Sequence, residues 1–420
     1  MKLSLRNVGK IAEAEVEIKG ITVIAGENNT GKSTIGKSLY CLFKAFNNID
    51  EKIEEERIRL VRNAIRFAFL RKDRDFSIKG FYKIAEEICS KKEFYVEEKE
   101  QLRETLKNYY FSIANDENEA QYNATKAFEK VLSYLQLSDE SIKINVLRSV
   151  LSEEFNGQIG NIEKTNSSCS IHLSIHADSI DVRCDDSDKI AINNSINIYS
   201  KIVYIEDPFV IDELAHPAVF LSRNGNRRAS LEFDLARRRN DSLVGDAIEE
   251  AVVLNKLEHI FSILNGVCDG TLTPSENGFS YNSKRYQQPL SVANISTGLK
   301  TFLILKTLLL NGSIESEGTI ILDEPEIHLH PQWQLIFAEL IVLLQKEFGM
   351  HILLNTHSPY FLRAIQVYAG KYEIADQCKY YLSEADGNMA VIKDVSDNIE
   401  LIYDKLYKPL QDLENLRAEL

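Results

Sequence analysis

Residues 26–34 read Gly-Glu-Asn-Asn-Thr-Gly-Lys-Ser-Thr, and no other feature of the 420-residue chain constrains its fold as tightly. The run fits G-x-x-x-x-G-K-[ST] in full. Gly26 and Gly31 permit a turn that aims backbone N–H groups at phosphate, with Asn28, Asn29 and Thr30 between them. Lys32 then reaches the β and γ phosphates, Ser33 ligates Mg²⁺, and Thr34 completes the nucleotide-binding run. A chance glycine-lysine turn before a helix would lack context. Here the β-branched run 21–25 precedes the loop and residues 33–46 have helical character, which gives the strand–loop–helix that the motif needs. The expected ligands are a nucleoside triphosphate and Mg²⁺.

A second set of residues belongs to the same chemistry. Residues 320–324, Ile-Ile-Leu-Asp-Glu, read as a buried strand ending in adjacent carboxylates. Asp323 would hold Mg²⁺ through its water shell, and Glu324 would polarise the attacking water. An acidic strand end facing solvent is the bland alternative, and the phosphate loop weighs against it. A helix over about 332–348 leads to another buried strand, HILLNT, which ends in Thr356-His357-Ser358. Strands ending in polar residues at one sheet edge are what an α/β nucleotide-binding domain requires. The run NISTGLK at 294–300 begins a helix with Ser296 at the N-cap, and taken by itself it reads as a plain helix cap.

Composition sets the outer limits. With 44% hydrophobic residues the chain can bury a substantial core, and its formal charge of −14 argues against non-specific wrapping of nucleic acid, which stays possible through local basic stretches. The six cysteines show no zinc-like spacing and suit reduced thiols. The start of the chain alternates like a strand, and its apolar runs are too short to span a bilayer, so a cytoplasmic protein without a membrane partner is expected. The reading is α/β: an N-terminal ATPase part over 1–46, a helical insertion over 47–150 and a β-meander over 151–200. The second ATPase part covers 201–392 and C-terminal helices cover 393–420. In the insertion, Ile58, Val61, Ile65 and Phe69 form one apolar face, with Arg57, Arg59, Arg62 and Arg66 around the rest. A long helix is expected over 241–267 and a hairpin over 270–290.

The order of these motifs, phosphate loop, long insertion, S-x-G helix start, LDEP strand and a strand ending in Thr-His, resembles the ABC-type ATPases. NISTGLK, LDEPEIHLHPQWQ and NTHSPYFL narrow the likeness to the cytosolic branch with the RecF-like, SMC-like and OLD-family ATPases. That branch includes the ATPases of anti-phage systems such as Septu and PARIS. The resemblance covers roughly 1–46 and 202–362. It implies that Ser296 and Gly298 bind the γ-phosphate held by the other protomer of a homodimer or higher homo-oligomer. It also implies that His357 contacts the γ-phosphate, beside Glu324 as the catalytic carboxylate. Three departures stand out. His330 occupies the place of the usual D-loop aspartate, no aromatic over 5–13 is placed to stack on adenine, and Glu206-Asp207-Pro208 is the candidate replacement for a Q-loop glutamine.

Several features carry two readings each. His328 and His330 are a metal pair lacking a third ligand, or structural and interface residues. Arg223, Arg227, Arg228, Arg237, Arg238 and Arg239 contact nucleic acid or an acidic partner, or form a solvated face. Asp181, Asp185, Asp186 and Asp188 are a nuclease site or a solvated turn. Residues 399, 402, 406, 410, 413, 416 and 420 form an apolar stripe that packs on the chain itself or on a partner, with Pro409 opening a second helix. Two function classes follow. One is an ATP-driven switch in a defence complex with a separate nuclease or toxin as effector. The other is a repair or OLD-like nuclease ATPase acting on nucleic acid directly. The 63 residues after His357 are short for a Toprim domain, and Glu384 with Asp386 alone do not form its metal site, which favours the switch.

Overall fold

The computed structural model describes residues 1–68, 78–113, 117–161, 168–184, 189–214, 226–237, 257–275 and 278–419. Alternating apolar residues make the first strands, β1 (Lys2–Val8) and β2 (Ile11–Glu17), each with one buried face. β3 (Ile21–Gly26) is buried along its whole length, as a central parallel strand should be. The expected meander is present as β4 (Cys169–Ile175), β5 (Asp178–Cys184) and β6 (Ile190–Asn193), followed by β7 (Ile202–Ile205). β8 (Thr271–Ser275), β9 (Gly278–Asn282) and β10 (Leu290–Ser291) form a small antiparallel sheet where the hairpin was expected. β11 (Thr319–Asp323), β12 (His351–Thr356), β13 (Cys378–Asp386) and β14 (Met389–Asp394) complete the set.

The large sheet has 11 strands in the order β6-β5-β4-β1-β2-β14-β13-β3-β12-β11-β7. Its parallel core joins β13, β3, β12, β11 and β7, and the meander extends the sheet beyond β1 by antiparallel pairing. β4, β5 and β6 therefore add an edge to the large sheet. The apolar core gathers Val23, Ile320, Leu322, Ile352 and Leu354 from these strands with Phe302, Leu305, Phe337 and Leu340 from helices.

Register decides where the chemistry sits. Asp323 lies opposite Asn355, Leu322 opposite Ile205, and Thr356 opposite Ala25. The next residues along each strand, Glu206, Glu324, Gly26 and His357, thus emerge at one edge of the sheet. This is the C-terminal edge of the parallel strands, where ligands bind in open α/β sheets.

The helix Lys32–Phe46 follows the loop. The helix Thr297–Leu310 is buried on most sides, and the helix Pro331–Phe348 starts on a proline at its first turn, where the missing N–H costs nothing. Residues 257–267 are helical, while 241–256 of the expected long helix lie outside the described residues.

A second compact unit comprises residues 45–147 and 197–199. It is helical as expected, with Val61, Ala85, Leu102, Leu106, Tyr110 and Val131 in its core. Ile58, Val61 and Ile65 do share the buried face of the helix Ile49–Ala68, and Phe69 lies outside the described residues. Arg57 departs from its expected place among the peripheral arginines. It is buried, donating to Asp139 Oδ1 (2.6 Å) and to the Leu137 carbonyl (3.1 Å), which satisfies its charge away from water.

The C-terminal segment corrects one expectation. A single helix, Glu400–Glu419, runs through Pro409. Ile402 and Tyr403 are buried in the main core with Ile399 and Leu406 against it, whereas Leu410, Leu413 and Leu416 are exposed. Among the described residues the stripe is thus buried over its first half only, and Leu420 lies outside them. Removing 398–420 should give insoluble protein, because the core loses Ile402 and Tyr403, while ending the chain at Pro409 should leave soluble yield and melting temperature near parental. An insoluble short truncation would contradict this division.

Candidate active site

The phosphate loop is shaped by its own backbone. Asn29 (φ 64°) and Gly31 (φ 79°) take left-handed conformations, which asparagine tolerates and glycine adopts without penalty. Thr30 Oγ1 donates to the Glu27 carbonyl (2.7 Å), and Ser383 Oγ on β13 donates to the Thr30 carbonyl (2.8 Å), so the loop is braced from within and from the sheet. Lys32 is buried and its Nζ donates to the carbonyls of Gly26 (3.1 Å) and Glu27 (2.8 Å), with Glu324 Oε1 at 3.6 Å. Burial lowers its pKa, opposed by the Glu324 carboxylate.

A cavity of ≈ 800 Å³ brings most of the expected residues together: Asn28 to Thr34 of the loop, Glu206, Asp323 and Glu324. Asp323 is buried and held on both oxygens, by Tyr204 Oη on Oδ2 (2.8 Å) and Asn355 Nδ2 on Oδ1 (2.9 Å). These two donors fix its direction. Ser33 and Asp323 offer hard oxygen donors in one cavity, and no group of three or more His, Cys, Asp or Glu forms a metal cage among the described residues. That donor set fits Mg²⁺, which takes few protein ligands and completes its shell with water and substrate phosphate. When bound, the ion would neutralise charge on the phosphates.

Glu324 is in the left-handed region (φ 52°), a conformation that costs a non-glycine residue about 1 kcal/mol. Its N–H donates to the Asn355 carbonyl (3.0 Å), which pins the turn. The carboxylate lies 3.4 Å from His357 Nδ1. His357 holds the Glu324 carboxyl below its ordinary value, against the effect of burial. Glu324 in turn raises the His357 imidazole, with Glu326 adding to the rise, while burial and Lys32 oppose it.

The signs define a window. The stability from Glu324 is present above the ordinary carboxylate value of 4.5 and lost as pH falls through its depressed value. The stability from His357 is present below the ordinary 6.5 and lost as pH rises through its raised value. In Glu324→Gln, an NMR titration of His357 should therefore move back toward 6.5. A His357 titration identical in the two proteins would contradict the pairing.

Three residues outside the sequence-based set belong to this site. Tyr204 and Asn355 orient Asp323, and Glu326 is buried beneath His357. Glu326 Oε1 accepts from the His357 N–H (3.2 Å) and from Thr356 Oγ1, and burial raises its pKa. Glu326 was visible in the sequence as the second glutamate of Asp-Glu-Pro-Glu. Tyr204 and Asn355 looked like ordinary members of buried strands, and only register places them beside Asp323.

Ser296 and Gly298 do not line this cavity. They line a second one of ≈ 520 Å³ with Thr297, His328, His330 and Trp333. A Cβ on Gly298 would sit 3.0 Å from the His328 carbonyl and 3.0 Å from Trp333 Cζ3, so a side chain there would push these neighbours back by a few tenths of an ångström. Ser296 holds the expected N-cap position, its carbonyl accepting from the Lys300 N–H (3.1 Å), and its side chain makes no cap hydrogen bond. His330 caps the next helix through Nδ1 (3.4 Å from Gln332 N), and His328 meets Phe209 edge-on.

The remaining candidates also find places. Glu206 lines the nucleotide cavity, and Arg227 donates to its Oε2 (2.8 and 2.6 Å). Arg227 also pairs with Glu154, and Arg228 with Asp207 and Glu213. Asp207 in addition accepts from the Phe209 N–H. Arg223, Arg238 and Arg239 lie outside the described residues, as do Asp185, Asp186 and Asp188, while Asp181 contacts His172 Nδ1 at 3.1 Å.

Fold and site together define an α/β P-loop ATPase domain carrying a helical insertion and a β-meander. The chain belongs to the AAA ATPase domain family, whose model matches residues 1–362. It is similar to the Retron Vc95 probable ATPase of Vibrio cholerae serotype O1 biovar El Tor, 22% identical over 378 residues, which cover 83% of this chain and 67% of that protein. Similar solved structures include the SMC head domain from Thermotoga maritima, with 11% identity and a TM-score of 0.39, covering 94% of this chain and 98% of that one. Another is the Smc head domain with an extended coiled coil bound to the C-terminal domain of ScpA, derived from Pyrococcus furiosus. It has 11% identity and a TM-score of 0.41, covering 99% and 98%. No helix among the described residues is long and apolar enough to cross a membrane.

Proposed function

We propose that this ATPase closes as a dimer on ATP and Mg²⁺ and serves as the sensor or regulatory subunit of a cytoplasmic, multi-chain anti-phage complex whose effector is a separate chain. The observation that carries the dimer is the separation of the two half-sites. Loop, Asp323 and Glu324 share one cavity, while Ser296 and Gly298 open a second one beside Trp333. Ser296, with no cap bond of its own, keeps its hydroxyl for the γ-phosphate of a facing protomer. Lys32 would then bind the β and γ phosphates, Ser33 and Asp323 would hold Mg²⁺, Glu324 would take a proton from the attacking water as the γ-phosphate bond to the departing ADP breaks, and His357 would contact the γ-phosphate.

The similarity to a retron's probable ATPase supports a role as one component of a defence system. Direct action on nucleic acid has less support. Arg227 and Arg228 are spent on internal carboxylates, and Glu384 pairs with Lys393 on the β13–β14 hairpin, inside the ATPase sheet. Tagged Glu324→Gln protein, purified from its native host with ATP, should carry a second, different chain in fixed ratio. Recovery of this chain alone, with and without nucleotide, would contradict the separate effector.

A further inference from the structure

The nucleotide cavity extends past the phosphate loop on the side away from the carboxylates. β3 carries the loop. In the sheet order, Glu206, Asp323 and Glu324 belong to the β12-β11-β7 flank, whereas β13, β14 and β2 lie on the other. Ile327 joins the carboxylate flank, and the other five lining residues outside the loop, Gly9, Lys10, Asn161, Asn388 and Met389, come from the opposite one, with β14 two strands or about 10 Å from β3. The loop abuts them directly, since a Cβ on Gly31 would stand 2.6 Å from Ile11 Cδ1 and 3.9 Å from Lys10 Cβ.

This end is a built wall. The Gly9 N–H donates to the Ile159 carbonyl (2.9 Å), Val8 bridges Gly160, and the Ala390 N–H donates to the Lys10 carbonyl (2.8 Å). The Asn161 amide donates to Met389 Sδ, which ties the third segment to the hairpin.

We infer that Met389 and Asn388 form the subsite for the base of the nucleotide and select adenine, an inference that rests on the ATPase reading. With the triphosphate committed to the loop and the carboxylate flank, ribose and base leave toward β14. Met389 is half-buried and offers a polarizable thioether to a ring face, in place of the aromatic that residues 5–13 lack. Asn388 is exposed on the turn, and its carboxamide presents one donor and one acceptor, the pattern that pairs with the adenine amino group and adjacent ring nitrogen. The adjacent N–H donors of guanine call for a carboxylate, and none lines this end among the described residues.

The test is competition of ATP, GTP and inorganic tripolyphosphate against a fluorescent ATP analogue on the full chain. Met389→Ala should weaken ATP about fivefold and leave tripolyphosphate unchanged. Asn388→Asp, an exposed turn position without packing cost, should move the ATP-to-GTP preference about tenfold toward GTP. Parental ratios in both variants, or equal losses of ATP and tripolyphosphate, would overturn the base subsite. A parental protein that binds neither nucleotide would instead overturn the ATPase reading itself.

Discussion

Glu324→Gln should bind ATP as tightly as the parental chain and hydrolyse it about a thousandfold more slowly, the scale of losing a positioned general base. The amide keeps the size of the side chain and its backbone bond to Asn355, but it cannot accept the proton of the attacking water. Lys32→Ala should fail at the earlier step. Lys32 is buried among loop carbonyls within 3.6 Å of Glu324, so its removal takes away the cation on which the phosphates close. Equilibrium binding and single-turnover hydrolysis separate the two effects. Parental turnover in Glu324→Gln would remove Glu324 from its assigned role.

Gly298→Asp should abolish hydrolysis while leaving the chain's own phosphate loop untouched. The position admits no Cβ without displacing Trp333 or the His328 carbonyl, and a carboxylate there would repel the γ-phosphate of the facing protomer. Mixed with Lys32→Ala, it should recover part of the activity, because one pocket of the heterodimer carries both lesions and the other carries none. Each variant alone stays inactive. Full activity of Gly298→Asp by itself would show that the second cavity plays no part in the reaction.

Much of this site was legible because its signals are local. The phosphate loop, the Asp323-Glu324 pair and His357 each follow a buried strand within a few residues, so strand pattern and motif specify one another. The long-range parts were not legible. Tyr204 reaches Asp323 across 119 positions and Asn355 across 32, and each contact depends on strand register alone. Arg57 and Arg227 read as surface charge because periodicity does not show a carboxylate supplied from far along the chain. The C-terminal stripe misled in the opposite direction. Its spacing is that of one buried face, but only Ile402, Tyr403 and their neighbours meet a core, and Pro409 sits within a continuous helix. The base end was illegible for a related reason, since Lys10, Asn161 and Met389 meet only after the sheet has formed.

In the proposed dimer each chain supplies half of each working pocket. Light scattering of Glu324→Gln with and without ATP and Mg²⁺ tests it most directly, because the slow variant holds the closed state. Adding ATP should shift the chain from one mass to twice that mass, and a second change, Gly298→Asp, should abolish the shift. A chain that stays at monomer mass with ATP, while the parental protein hydrolyses ATP at a specific rate independent of protein concentration, would contradict it.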